Sequence, residues 1–227
     1  MSHAHAASAE DHHPPGLAHH FESYEQQKES SFLGMWAFLA QELMFFGGLF
    51  TCYIIYRSMH GDAFLLGSAE LDWRIGAFNT AVLLGSSFTM VVAVWAAQIG
   101  KPKAIFWGLI GTIVLGGVFL GVKVIEYASK YEHHLIPGLN FEWTGPPASG
   151  IEIFFALYFA MTGMHALHMI IGMVIMLFML KPALNGHWTP QNHNFVEGFG
   201  LYWHFVDIVW IFLFPFLYLL NTGAAAH

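Results

Sequence analysis

Few ionisable side chains fall inside the apolar stretches of this chain, and their types and spacing set the chemistry open to it. Glu42 is the clearest, the eleventh residue of the apolar run 32–56. An ionised carboxylate at bilayer depth is expensive unless it is buried in protein or reached by water. Glu42 therefore reads as a proton-handling or gating group, or as a neutral acid hydrogen-bonded to a neighbouring helix. His165 and His168 lie three apart and share one helical face, and His204 and Asp207 repeat that spacing. Haem ligation needs axial histidines on facing helices at matched depth, and two histidines three apart on one helix cannot clamp a single haem. A His–Asp pair instead fits an interhelical hydrogen-bond network in which the carboxylate orients the ring. Lys123 and Glu126, with Lys130 four residues further on, read as an ion-pair ladder anchoring a helix end. The spans offer no nucleophile–base pair, no phosphate-cradling glycine loop and no metal-binding cluster.

The elements that must position these groups follow from composition. Of 227 residues 10% are charged, against roughly 25% in an ordinary globular domain, while 56% are hydrophobic and 17% aromatic. Mean hydropathy is +0.52. Eight Lys plus Arg and a net charge of −7 leave no footprint for nucleic acid, and a single cysteine, Cys52, excludes a disulfide framework. The chain reads as all-α, a polytopic transmembrane bundle. Five apolar stretches, at about 32–56, 75–99, 104–127, 150–180 and 201–220, each reach the roughly 20 helical residues that a bilayer core of about 30 Å requires. Within hydrocarbon every backbone amide must be paired internally, which stretches of this length achieve only as helices.

Residues 1–31 form a polar tail with six of the 15 histidines, followed by a single membrane domain over 32–222. The first basic residue is Lys28 and no early apolar run precedes 32, so no cleaved signal is expected. Lys101-Pro102-Lys103 turns the second and third spans into an antiparallel hairpin, Lys181-Pro182 is expected to stop the fourth, and 129–149, with its prolines and glycines, reads as loop. Gly108, Thr112 and Gly116, and then Gly117 and Gly121, place small residues where helices can pack closely. Lys28, Lys101, Lys103 and Lys181 fall on one side of the membrane and Arg57, Arg74, Lys123 and Lys130 on the other. That even count tips towards a cytoplasmic N-terminus if Lys123 lies within its helix.

Taken in order, these landmarks resemble a known family. The run from Phe32 through Gln41-Glu42-Leu43-Met44-Phe45-Phe46 to Gly47 is similar to the opening of the shared part of haem-copper oxidase subunit III, in its five-helix form. So are Asn79 to Ser87, the segment Gly117 to Tyr127 ending in Glu126, Thr162-Gly163-Met164-His165-Ala166-Leu167-His168, and Tyr202-Trp203-His204-Phe205-Val206-Asp207. The five signatures cover about residues 32–220.

The resemblance implies an accessory subunit of a cytochrome c oxidase in a bacterial plasma membrane, multi-pass and with its N-terminus in the cytoplasm. It implies no haem or copper in this chain, both belonging to partner subunits, and bound phospholipid. Implied partners are the catalytic subunit I, subunit II, a small subunit IV and a larger respiratory supercomplex. Glu42 and Glu126 would then be proton-related or buried polar groups, and Asn79, His165, His168, Trp203, His204 and Asp207 helix-packing or lipid-cleft groups. Subunit III of a quinol oxidase and an accessory chain of a nitric oxide reductase are alternatives within the same chemistry. A di-haem cytochrome using His165, His168 and His204, and a small transporter, are alternatives outside it; the transporter would call for inverted repeats, which the sequence does not display.

Overall fold

A computed structural model describes residues 23–220, apart from residues 140, 144, 146, 147 and 191. The histidines of residues 1–22 and the end of the expected membrane domain lie outside the described residues. Six helices follow in order: α1 (Tyr24–Met59), α2 (Gly61–Ala69), α3 (Trp73–Gln98), α4 (Pro102–Glu132), α5 (Ala148–Leu184) and α6 (Asn194–Tyr218). All but α2 are long and apolar enough to cross a membrane, so the protein is an all-α, multi-pass bundle of five spanning helices.

The helix limits depart from expectation in instructive ways. Helix α1 begins at Tyr24, eight residues before 32, because Ser23 caps it by accepting from the Gln26 N–H at 3.2 Å and Glu25 sits in its first turn. Residues 24–31, assigned to the tail by their polarity, are helical: polarity reports on lipid, not on backbone. Helix α4 runs to Glu132, so the supposed ladder of Lys123, Glu126 and Lys130 is helix interior. Pro182 does not stop α5, which runs on to Leu184, and α6 starts at Asn194, seven residues before 201. The short α2 was not expected; it buries Phe64 against the rings of Tyr53 and Phe154.

Packing makes α6 the hub. It lies against α1, α3 and α5, and its Trp203 and Trp210 are fully buried. Helices α3 and α4 form the expected hairpin. Gly100 at φ 68° makes the turn, and Pro102 starts α4 where its missing N–H is harmless. A Cβ on Gly108 would lie 2.8 Å from Ala93, so only glycine permits this approach. Gly117 and Gly121, by contrast, face open space: of the two glycine rows on this helix, only the first packs inside the chain. Helix α1 touches α2, α5 and α6 but leaves Trp36, Leu43 and Met44 exposed.

Candidate functional site

The polar residues of the bundle gather into two centres. In the first, Glu42 projects from the middle of α1 towards α5, where its Oε2 meets His168 Nε2 at 3.1 Å. Both side chains are about one-tenth exposed. His168 Nδ1 lies 2.8 Å from the Met164 carbonyl, one turn back on α5. A carbonyl only accepts, so Nδ1 carries a proton, and the facing Nε2–Oε2 contact must hold one proton of its own. That proton sits on Glu42, with the neutral ring accepting, or on His168, with an imidazolium donating to a carboxylate. Tyr202 closes the group by donating its hydroxyl to the His168 backbone carbonyl at 2.8 Å.

A cavity of about 680 Å³ between α1, α5 and α6 ends on this pair. Gln27, Ser31, Asn192 and Asn194 line it where α1 and α6 begin; Met35, Phe38 and Ile171 are among its apolar walls. The Glu42–His168 contact can therefore be reached from the face that carries the start of α1 and the α5–α6 connection.

The second centre is fully paired, although its Glu126 also borders a cavity between α3 and α4. Lys123 of α4 donates to Glu126 Oε2 at 2.9 Å, to the Tyr158 hydroxyl of α5 at 3.0 Å and to the Tyr218 hydroxyl of α6 at 2.9 Å. Both phenols donate to Glu126 Oε1, at 2.8 Å and 2.6 Å. An ammonium has three donors, and all three are used here. The rings of Tyr127 and Trp210 each place their centroids 5.3 Å from the Lys123 nitrogen, adding cation–π contact. Lys123 is only 3% exposed. What reads in sequence as a surface ladder is a buried ring joining α4, α5 and α6. Lys130 leaves the ladder altogether and donates to the backbone carbonyl of Glu70.

The remaining sequence-selected residues fall between these centres. His165 is fully buried between Phe119 and Trp210, and neither of its ring nitrogens has a hydrogen-bond partner among the described residues. The expected His204–Asp207 bond does not form: His204 turns across to α3, its Nδ1 lying 2.7 Å from Ser87 Oγ. Asp207 is buried beside the Ser87 hydroxyl, and the Asn79 side chain is buried with no hydrogen-bond partner among the described residues. Trp203 donates to Ser86 Oγ at 3.0 Å. Three apart on a helix puts two side chains on one face, but each then points to whichever neighbouring helix lies there.

Sequence reading overlooked Tyr158 and Tyr218, and took Ser86 and Ser87 only as part of the Asn79–Ser87 signature. One signal for the first was present: Tyr158, Thr162 and His165 follow an i, i+4, i+7 pattern, the mark of one helical face. Tyr218 gave none, since a tyrosine near a span end is ordinarily read as an interfacial anchor. Among the described residues, no three His, Cys, Asp or Glu side chains are grouped to hold a metal ion.

Residues 20–222 match the family described as cytochrome c oxidase subunit III. The chain is 33% identical over 193 residues to cytochrome c oxidase subunit 3 of Thermostichus vulcanus, covering 83% of this chain and 87% of that protein. It is 32% identical over 209 residues to the Synechocystis protein of the same name, covering 91% and 81%. Against the cytochrome bo(3) ubiquinol oxidase subunit 3 of Pseudomonas aeruginosa the identity is 32% over 192 residues, covering 83% and 84%. The chain thus belongs to the cytochrome c oxidase subunit III family, as an accessory subunit of a respiratory haem-copper oxidase in association with that enzyme's other subunits.

Proposed function

We propose that the Glu42–His168 pair holds a single exchangeable proton at the inner end of the α1–α5–α6 cavity, and that through it this subunit sustains proton uptake by its catalytic partner. One observation carries the reading: with His168 Nδ1 facing the Met164 carbonyl, the 3.1 Å contact accommodates one proton, on the carboxyl or on the ring, with the same total charge either way. Such a pair holds a proton beside the cavity without exposing an isolated charge to the membrane interior. The role is supportive. Oxygen reduction, haem and copper belong to partner subunits I and II, with a small subunit IV and a larger respiratory supercomplex as further partners. Phospholipid held by this chain adds to the durability of the whole.

The orientation that fits has the N-terminus in the cytoplasm of a bacterium and the cavity opening there, with the complex in the plasma membrane. Lys123 is taken up in the buried ring with Glu126, Tyr158 and Tyr218, so Lys28, Lys101, Lys103 and Lys181 on the N-terminal side outnumber Arg57, Arg74 and Lys130 on the other. For the electron donor we favour cytochrome c, on the Gln41-Glu42-Leu43-Met44-Phe45-Phe46 setting of the α1 carboxyl. A quinol donor is the second reading, favoured by the nearly equal identity to a relative named as a ubiquinol oxidase subunit. Oxygen consumption by the purified complex on reduced cytochrome c and on quinol separates the two. Turnover on cytochrome c alone is expected; turnover on quinol alone overturns that choice while leaving the Glu42 proposal standing.

A further inference from the structure

The α3–α4 hairpin is tight at its turn and opens at its other end. Near the turn Gly108 sits against Ala93, Thr89 Oγ1 meets Thr112 Oγ1 at 2.8 Å, and Gly85 approaches Leu115. About two turns further, Ile75 and Phe78 of α3 and Val122 and Ile125 of α4 no longer close on each other but line a cavity of about 750 Å³. Phe78 and Ile125 are largely exposed, so the apolar part of this wedge is open to the surrounding membrane. It is separate from the Glu42 cavity, sharing no lining residue with it, and lies at the opposite end of the helices.

The wedge ends in charge. Glu70 at the end of α2, Asp72 and Arg74 at the start of α3, and Lys130 and His133 at the end of α4 line its mouth. Asp72 Oδ1 caps α3 by accepting from the Arg74 N–H at 2.8 Å, which leaves its second oxygen for a ligand. Lys130 spends one donor on the Glu70 carbonyl and has two left. The guanidinium of Arg74 lies 5.8 Å from the Trp73 ring centroid and forms no ion pair with a carboxylate among the described residues. Two cations thus face two carboxylates, while Glu126, which also borders the wedge, is committed to Lys123. A charged, balanced mouth over an apolar slot, aligned with the helix axes, has the polarity of a bilayer leaflet.

From this we infer that the α3–α4 wedge is a binding site for a zwitterionic phospholipid with a primary ammonium headgroup. Arg74 and Lys130 receive the phosphate, Glu70 and Asp72 receive the ammonium, and an acyl chain lies between Phe78 and Ile125. Guanidinium binds phosphate by paired, charge-assisted hydrogen bonds. A lipid that is anionic overall brings the phosphate but no cation, and its net charge meets the two carboxylates uncompensated. The inference rests on the membrane embedding of the chain and is independent of the role proposed for Glu42.

The test uses the intact purified oxidase complex, stripped of loosely held lipid and exchanged into micelles carrying phosphatidylethanolamine or phosphatidylglycerol with the same acyl chains. Native mass spectrometry counts the lipids retained. The wild type is expected to keep one more phosphatidylethanolamine than the Arg74→Gln complex, whose affinity for that lipid falls about tenfold, the loss of a charge-assisted hydrogen bond. Ile125→Trp, which fills the slot and leaves the charges alone, is expected to lose the same lipid. Arg57→Gln, at the end of α1, is expected to lose none. Equal phosphatidylethanolamine retention by wild type and both wedge variants overturns the site. Phosphatidylglycerol retained as tightly as phosphatidylethanolamine overturns the headgroup assignment, and displacement of the lipid by millimolar inorganic phosphate shows an ion site instead. Cross-linking from position 78 to another polypeptide of the complex would also overturn it, by making the wedge a subunit contact.

Discussion

Two buried carboxylates of this subunit, Glu42 and Glu126, lie in opposite surroundings. Glu126 has its two oxygens filled by Lys123, Tyr158 and Tyr218, three side chains from three helices that leave no donor of the ammonium idle. Both carboxylates border a cavity, but Glu42 has a single side-chain partner among the described residues, His168. The first arrangement ties α4, α5 and α6 together; the second joins the peripheral α1 to the bundle beside a cavity. Charge inside a membrane is tolerated either by complete pairing or by a lighter pairing beside a cavity. The first makes a structural clamp; the second is the site to which the proton role is proposed.

The contrast is broken most severely at Lys123. In Lys123→Met the Glu126 carboxylate keeps its phenols and loses its counter-charge, which costs about 3–5 kcal/mol. The purified oxidase should then lack this subunit or lose it on mild heating. The double variant Lys123→Met/Glu126→Leu should recover most of that loss, because no unpaired charge remains. Tyr158→Phe is the next step down: it removes one acceptor for Lys123 and one donor to Glu126, and retention of the subunit should fall by about 1–3 kcal/mol, read as a lower melting temperature of the assembled complex. At the open site the effect on stability is smallest. Glu42→Gln keeps one hydrogen bond to His168 Nε2, so assembly should change by less than about 1 kcal/mol.

Much of the fold could be read from the sequence and rather less of the site, for one physical reason. The spans declare themselves because lipid imposes apolarity on every face over about 20 residues. Their ends do not, because the helical backbone continues into water wherever a cap such as Ser23 or a helix-forming run such as 24–31 allows. Lys123 and Glu126 were visible as a pair, yet the burial that makes them a clamp depends on Tyr218, 92 residues beyond Glu126 in the chain. Glu42 was conspicuous by its depth, and its partner His168, 126 residues away, could be named only as a candidate beside His165. The i,i+3 histidine pair shows the limit: one ring reaches Glu42 across the α1–α5 contact, while the other is enclosed by Phe119 and Trp210. Ser87, the partner of His204, falls within the Asn79–Ser87 signature, but nothing in its spacing pointed to α6.

The measurement that bears most directly on the central claim is the time course of oxygen consumption by the complex carrying Glu42→Gln, under sustained turnover and with haem content and subunit composition checked. The pair is assigned to sustaining proton uptake, so the variant should start at a rate modestly below the wild type and then lose activity in fewer turnovers. Activity abolished at once in an intact complex would give Glu42 a direct part in the chemistry. A time course superimposable on the wild type would leave the Glu42–His168 pair as packing alone, and the account of an open, acting site would be wrong.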